Sequence, residues 1–281
     1  RSRCWRPRIR VVRVTSAAAQ LPIGIFDSGF GGLTVARAIV DLLPHEEIIY
    51  LGDTARTPYG PRPIAEVREY TLQCLDWLVE QGVKILVIAC NTGSSAALRD
   101  ARERYDVPIV EVILPAARKA AATSRDRQVG VICTQATATS RSYNDALVAS
   151  PVRLVTQVCP LFVPFVEEGI TTGDALMAVA EEYLTPLKEQ QVDTLILGCT
   201  HYPLLSGVIS YIMGDEVTLV SSADECARAT FATLQRRGLL RESGHRPARR
   251  FVTTGDPARF EGLGSRLMGG FVSGVQQVGL D

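Results

Sequence analysis

A chain of 281 residues, 46% of them hydrophobic, is long enough to bury one large core or two ordinary ones. Its 30 basic and 30 acidic residues balance, so the folded body carries no field for nucleic acid, and small ligands are the better expectation. No apolar run reaches the roughly 18 residues of a membrane span. The seven cysteines are odd in number, scattered and without a CxxC pair, which argues against a disulfide scaffold and for reduced thiols in a cytoplasm.

The first twenty residues, RSRCWRPRIRVVRVTSAAAQ, are rich in arginine and lack acid. Arg10 and Arg13 interrupt what would be the apolar region of a signal peptide, so 1–20 reads as a disordered basic extension. From Leu21 short β-branched runs alternate with helical patterns, the signature of βαβ units and an α/β fold with parallel sheets. Strands are predicted at 22–27, 46–53, 84–90 and 107–112, with helices at 33–44, 64–82 and 94–105 between them. The pattern then restarts. Helices are predicted at 115–124, 139–150, 162–169 and 174–190, and strands at 128–134, 152–159 and 194–199. A helix at 224–238 and a strand at 249–256 are expected to return to the first half, giving one domain of 21–114 plus 226–281 and a second of 115–225.

KILVIACNTGSS and DTLILGCTHYPL repeat one arrangement: a buried strand, a small residue, a cysteine, then polar groups that open a helix or loop. One such cysteine is ordinarily a small core residue. Two of them, about one domain apart, stand at strand carboxyl ends, where open parallel sheets bind ligands. Facing halves would aim Cys90 and Cys199 into one cleft.

The chemistry open to two thiols is limited. A phosphatase needs an arginine six positions after its cysteine, and the next arginine after Cys90 is Arg99. Zinc held by Cys90, Cys199 and His201 lacks a fourth ligand, since His45 and His245 fall in a loop and the tail. A Cys199–His201 hydrolase leaves Cys90 unused, and a two-lobed amino-acid-binding protein needs neither thiol. Removing a proton from one face of a carbon and returning another from the opposite face uses both. The polar residues at Asn91-Thr92 and Thr200-His201 begin segments whose amides favour a thiolate.

Two further loops end strands of the first half. In IFDSGFGGLTV, Asp27 is placed to accept an ammonium or orient a catalytic group, and Ser28 with the loop amides to bind a carboxylate. Thr34 stands where a dinucleotide fingerprint needs its third glycine, so a nicotinamide cofactor is not expected. YLGDTARTPYGP offers Asp53, Arg56, Tyr59 and Gly60, in a segment that also reads as a solvated turn.

DSGFGGLTV, GDTARTPYG, ACNTGSS, CPLFVPFVEEG and LGCTHYPLL, in this order, with FVTTGDPARF near the end, closely resemble the cofactor-independent aspartate/glutamate racemase family. The first two motifs favour glutamate over aspartate. The resemblance implies two similar flavodoxin-like α/β domains with the active site between them, neither cofactor nor metal, a homodimer, and D-glutamate made for peptidoglycan. It assigns Cys90 to deprotonating D-glutamate and Cys199 to L-glutamate. Asp27, Glu167 and His201 match residues that assist the thiols, and Asp27, Ser28, Tyr59, Gly60, Asn91, Thr92, Thr200 and His201 match substrate contacts. Gly93 departs from the alanine usual there, and Cys133 from a small residue without a thiol. Without pyridoxal phosphate the carbanion has no electron sink, so oriented donors and a water-poor cleft must stabilise it.

Overall fold

The computed structural model describes residues 16–242 and 246–280. In chain order its strands are β1 (Ile23–Asp27), β2 (Ile48–Gly52), β3 (Ile85–Ile88), β4 (Ile109–Glu111) and β5 (Gln128–Cys133). They continue as β6 (Arg153–Val158), β7 (Thr194–Gly198), β8 (Thr218–Ser221), β9 (Arg249–Thr253) and β10 (Gln276–Gln277). Two sheets result, ordered β10-β9-β2-β1-β3-β4 and β6-β5-β7-β8, and every pairing is parallel. β9 lies beside β2, so the tail does return to the first sheet.

β1, β2, β3 and β7 are buried at every position, as strands covered on both faces by helices must be. Helix Leu33–Leu42 turns Leu33, Val35, Ala36, Ile39 and Val40 inward at helical spacing. Helix Ser222–Arg237 is capped by the Ser221 hydroxyl, which accepts from Asp224 N, and it stops at Gly238 in the left-handed region.

The lobes share a core on one side only. Ile23, Ile25 and Ile39 of the first lobe and Val129, Val131 and Ile196 of the second belong to one apolar cluster. Ala116, Ala117 and Ala120 of helix Ile113–Thr123 and Ala223 and Ala227 of helix Ser222–Arg237 join them. Each isoleucine buried there contributes about 1.5–3 kcal/mol, so this side is a strong apolar junction. The opposite face of each sheet has its own cluster, one around Phe26, Leu75 and Leu86, the other around Phe162, Leu184 and Leu195.

Lys84, buried at the strand ends remote from the thiols, donates Nζ to Glu46 Oε2 at 2.5 Å, Ala19 O at 2.7 Å and Leu239 O at 2.9 Å. An ammonium has three protons, and each finds an acceptor.

The structure corrects several expectations. Within the extension expected over 1–20, Ser16–Ala19 form a helical turn, and Ala19 is buried with its carbonyl accepting from Lys84; residues 1–15 lie outside the described residues. The helix expected at 139–150 is two short ones, Gln135–Ser140 and Ser142–Leu147, broken where Arg141 takes a left-handed φ of 57°. Helices Ser206–Met213 and Pro257–Met268 and strand β8 were not predicted. β8 has four residues and is half exposed, which leaves little periodicity to detect. Among the described residues no helix is long and apolar enough to cross a membrane.

Candidate active site

Cys90 follows β3 and is itself the N-cap of helix Asn91–Arg104, its sulfur accepting from Gly93 N at 3.3 Å. The helix therefore starts three residues earlier than its sequence pattern suggests, because a thiol takes the place of the usual hydroxyl or carboxylate cap. The Cys90 thiol donates to Ser28 Oγ at 3.3 Å. Burial, then the charge of Asp27, push this thiol up to about 12, and the Ser28 and Gly93 contacts only partly offset them. Cys90 is held as a thiol.

Cys199 follows β7 and has different company. Its Sγ is 3.8 Å from His201 Nδ1, and His201 Nε2 is 3.2 Å from Glu167 Oε1. Burial opposes the charged imidazole, but the contacts with Cys199 and Glu167 outweigh it and raise His201 to about 10. The ring is an imidazolium at neutral pH, a cation beside the sulfur that offsets negative charge there. Of the adjacent carboxylates only Glu167 reaches His201, while Glu168 is exposed.

Asp27 lies between the two. Its Oδ2 accepts from Gly29 N at 2.9 Å and its Oδ1 from Thr200 Oγ1 at 3.4 Å. Burial raises its carboxyl above the usual range, against the opposing effects of the His201 charge and of hydrogen bonds from Gly32, Gly29 and Thr200. Cys90, Ser28, Asp27, Thr200, His201 and Cys199 thus form a continuous polar path across the lobes.

The lobes meet closely along this path. A β-carbon on Gly31 would collide with Thr200 Oγ1 and His201 Nδ1, so the loop after β1 approaches the second lobe only because it lacks a side chain. Thr34 Oγ1 contacts Thr200 O at 3.0 Å, Ala136 N donates to Gly60 O at 3.0 Å, and Thr92 Oγ1 is 3.0 Å from Thr134 Oγ1 and 3.3 Å from Thr137 Oγ1. Tyr143 OH donates to Asn91 Oδ1 at 2.7 Å, while the buried Asn91 Nδ2 has no hydrogen-bond partner among the described residues. That orphaned donor is available to a ligand.

Residues 23–230 match the family described as Asp/Glu/Hydantoin racemase. The chain belongs to this racemase family. A protein from Parafrankia sp. named glutamate racemase is 61% identical over 90% of this chain and 93% of its own length. The Thermus thermophilus glutamate racemase structure, in complex with β-chloro-D-alanine, has a TM-score of 0.86 and 44% identity over 93% of this chain and 98% of its own. The Francisella tularensis glutamate racemase structure, in complex with D-glutamate, has a TM-score of 0.87 and 33% identity over 94% and 99%.

Of the expected site residues, Cys90 contacts Ser28, Asp27 contacts Thr200, and Cys199, His201 and Glu167 are joined, while Asn91, Thr92 and Gly60 each meet the second lobe; Tyr59 does neither. The Tyr59 side chain turns back into its own lobe, where its hydroxyl donates to Asp53 Oδ2 at 2.5 Å, and only the backbone at Gly60 faces the other lobe. Asp53 and Tyr59 are buried, so their loop is no solvated turn. Arg56 is bonded to Asp53 Oδ2 at 2.7 Å. Sequence reasoning passed over Thr134, Thr137 and Tyr143. The hydroxyl-rich TQATATS that follows β5 was the signal for the two threonines, since it too begins at a strand carboxyl end, whereas Tyr143 sits in the next helix, Ser142–Leu147, beyond that segment.

Proposed function

We propose that this chain interconverts L- and D-glutamate without a cofactor, one thiol withdrawing the α-proton while the other supplies a proton to the opposite face. In the L to D direction Cys199 is the thiolate base. His201, held between Cys199 and Glu167, keeps positive charge beside that sulfur before the proton arrives. Cys90, already a thiol, donates from the other side. The turnover leaves Cys90 as thiolate and Cys199 as thiol, which is the arrangement for D-glutamate to react in return. Every proton lost from carbon is replaced by one from sulfur.

The substrate carboxylates are assigned to hydroxyl and amide donors at Ser28, Asn91, Thr92 and Thr200, including the unpartnered Asn91 Nδ2, and the ammonium to Asp27. Donors fixed in a closed, low-dielectric cleft stabilise the developing carbanion without reorganising. The domain boundaries at 114/115 and 225/226, the supply of D-glutamate to peptidoglycan in a cytoplasm, and assembly as a homodimer are parts of the same proposal. The last is read by sedimentation.

The observation that carries this reading is the pair of thiols at the ends of β3 and β7, buried to 5% and 6% exposure, one escorted by a hydroxyl and an amide and the other by an imidazolium. The test is L-glutamate in D2O with no added cofactor, followed by circular dichroism and by NMR of the α-proton. Decay of the optical signal with deuterium entering at Cα is the expected result. Saturable binding with an unchanged signal overturns it in favour of a binding protein.

A further inference from the structure

Helix Pro257–Met268 belongs to the first lobe, where Phe260 stacks on Phe30 with ring centroids 5.0 Å apart. Near its end Arg266 crosses to the second lobe and donates Nη2 to Glu167 O at 3.0 Å. The last carbonyls of helix Phe162–Glu167 have no partner within that helix, and this one receives a cation's donor instead. The turn that follows leaves room for the guanidinium. Gly169 has a φ of +79°, and a β-carbon there would come within 3.0 Å of Arg266 Cζ and Nε.

The same residue, Glu167, thus takes a hydrogen bond from the first lobe on its backbone and contacts His201 with its side chain. We propose that Arg266 is a positioning residue for proton transfer at Cys199, holding Glu167 from across the cleft so that its carboxylate meets His201 only when the lobes are closed. The inference rests on the racemase reading. It adds a link between lobe closure and the charge beside one thiol, whereas Cys90 receives both its hydrogen-bonding contacts from its own lobe.

The groups facing His201 are Cys199 at Nδ1, Glu167 at Nε2 and, from β1, Asp27. The chain has three histidines, so ring nitrogen signals can be assigned with few variants. In R266A the imidazole titration of His201 is expected to move down by about half a unit, and racemisation to fall about three- to tenfold in both directions, in keeping with one charged hydrogen bond at an exposed rim. R266K, which keeps a donor, should recover most of both. In an E167Q background R266A should have no further effect, because its route is gone. An unmoved His201 titration in R266A and R266K, or an R266A loss that adds in full to that of E167Q, overturns the inference. The titration does not depend on turnover, so a wild-type protein that racemises nothing defeats the reading beneath the inference and is recognised separately.

Discussion

Cys90 and Cys199 occupy equivalent places in two parallel sheets, yet their surroundings differ. Cys90 caps a helix, gives its proton toward Ser28 and is pushed up to about 12, whereas Cys199 faces an imidazolium tied to a carboxylate. A repeated strand end places a thiol at the same point of each sheet. In the proposed mechanism the neighbours separate the thiols into donor and base, and two-sided proton transfer needs that inequality at every moment.

The largest way to break the comparison is to remove either sulfur. Cys90→Ser and Cys199→Ser should each lower net racemisation by roughly 10²- to 10⁴-fold, the range for loss of a general acid or base, as read by optical signal. A normal rate in either variant refutes the two-thiol mechanism, and loss from Cys199→Ser alone points to a hydrolase. Next comes unequal loss of the companions. His201→Asn removes a charge and should cost roughly 10²-fold in kcat, while Ser28→Ala removes one neutral contact worth about 0.5–1.5 kcal/mol, a few-fold. Equal losses would mean that the two sides are not distinguished as described.

Stability against pH sharpens the same contrast. His201 has a raised folded pKa, so its contribution is fully present below 6.5 and is lost as pH rises through about 10. Cys90 also binds its proton more tightly when folded, and its contribution is lost between 9.0 and about 12. Thermal melts across this range should show the earlier decline reduced in His201→Asn and the later one reduced but not abolished in Cys90→Ser, since burial raises Cys133, Cys159 and Cys226 as well. The smallest effect concerns Gly93. An added β-carbon would lie 3.0 Å from Phe26 Cε1 and 3.1 Å from Thr71 Oγ1, so crowding offsets a helix-propensity gain of up to about 1 kcal/mol, and Gly93→Ala should shift Tm by less than about 4 °C.

Much of this was legible before the structure, for physical reasons. Strands buried on both faces write continuous apolar runs, and the carboxyl-end rule turns the residues after β1, β3 and β7 into site candidates. What escaped was what leaves no periodic trace. Helix Ser206–Met213 has Leu205 at its N-cap and no side-chain cap, so its start carries no sequence mark. The inward turn of Tyr59 toward Asp53 depends on packing beside Phe26 and Tyr70, and the Arg266 contact joins residues about a hundred positions apart. Neither has a local signal.

The unequal sides of the lobe junction decide where the two lobes are most easily separated. Behind the cleft the lobes are fused through isoleucine, valine and alanine, and separating them there would expose core. At the mouth they touch through hydrogen bonds instead, from threonine hydroxyls, a tyrosine and an amide worth about 0.5–1.5 kcal/mol net each, together with the charge-assisted Thr200–Asp27 and Arg266–Glu167 contacts, and all of these can be replaced by bonds to water. Parting the lobes would therefore cost least along this wettable lip and most along the greasy spine, which marks the apolar side as the natural pivot.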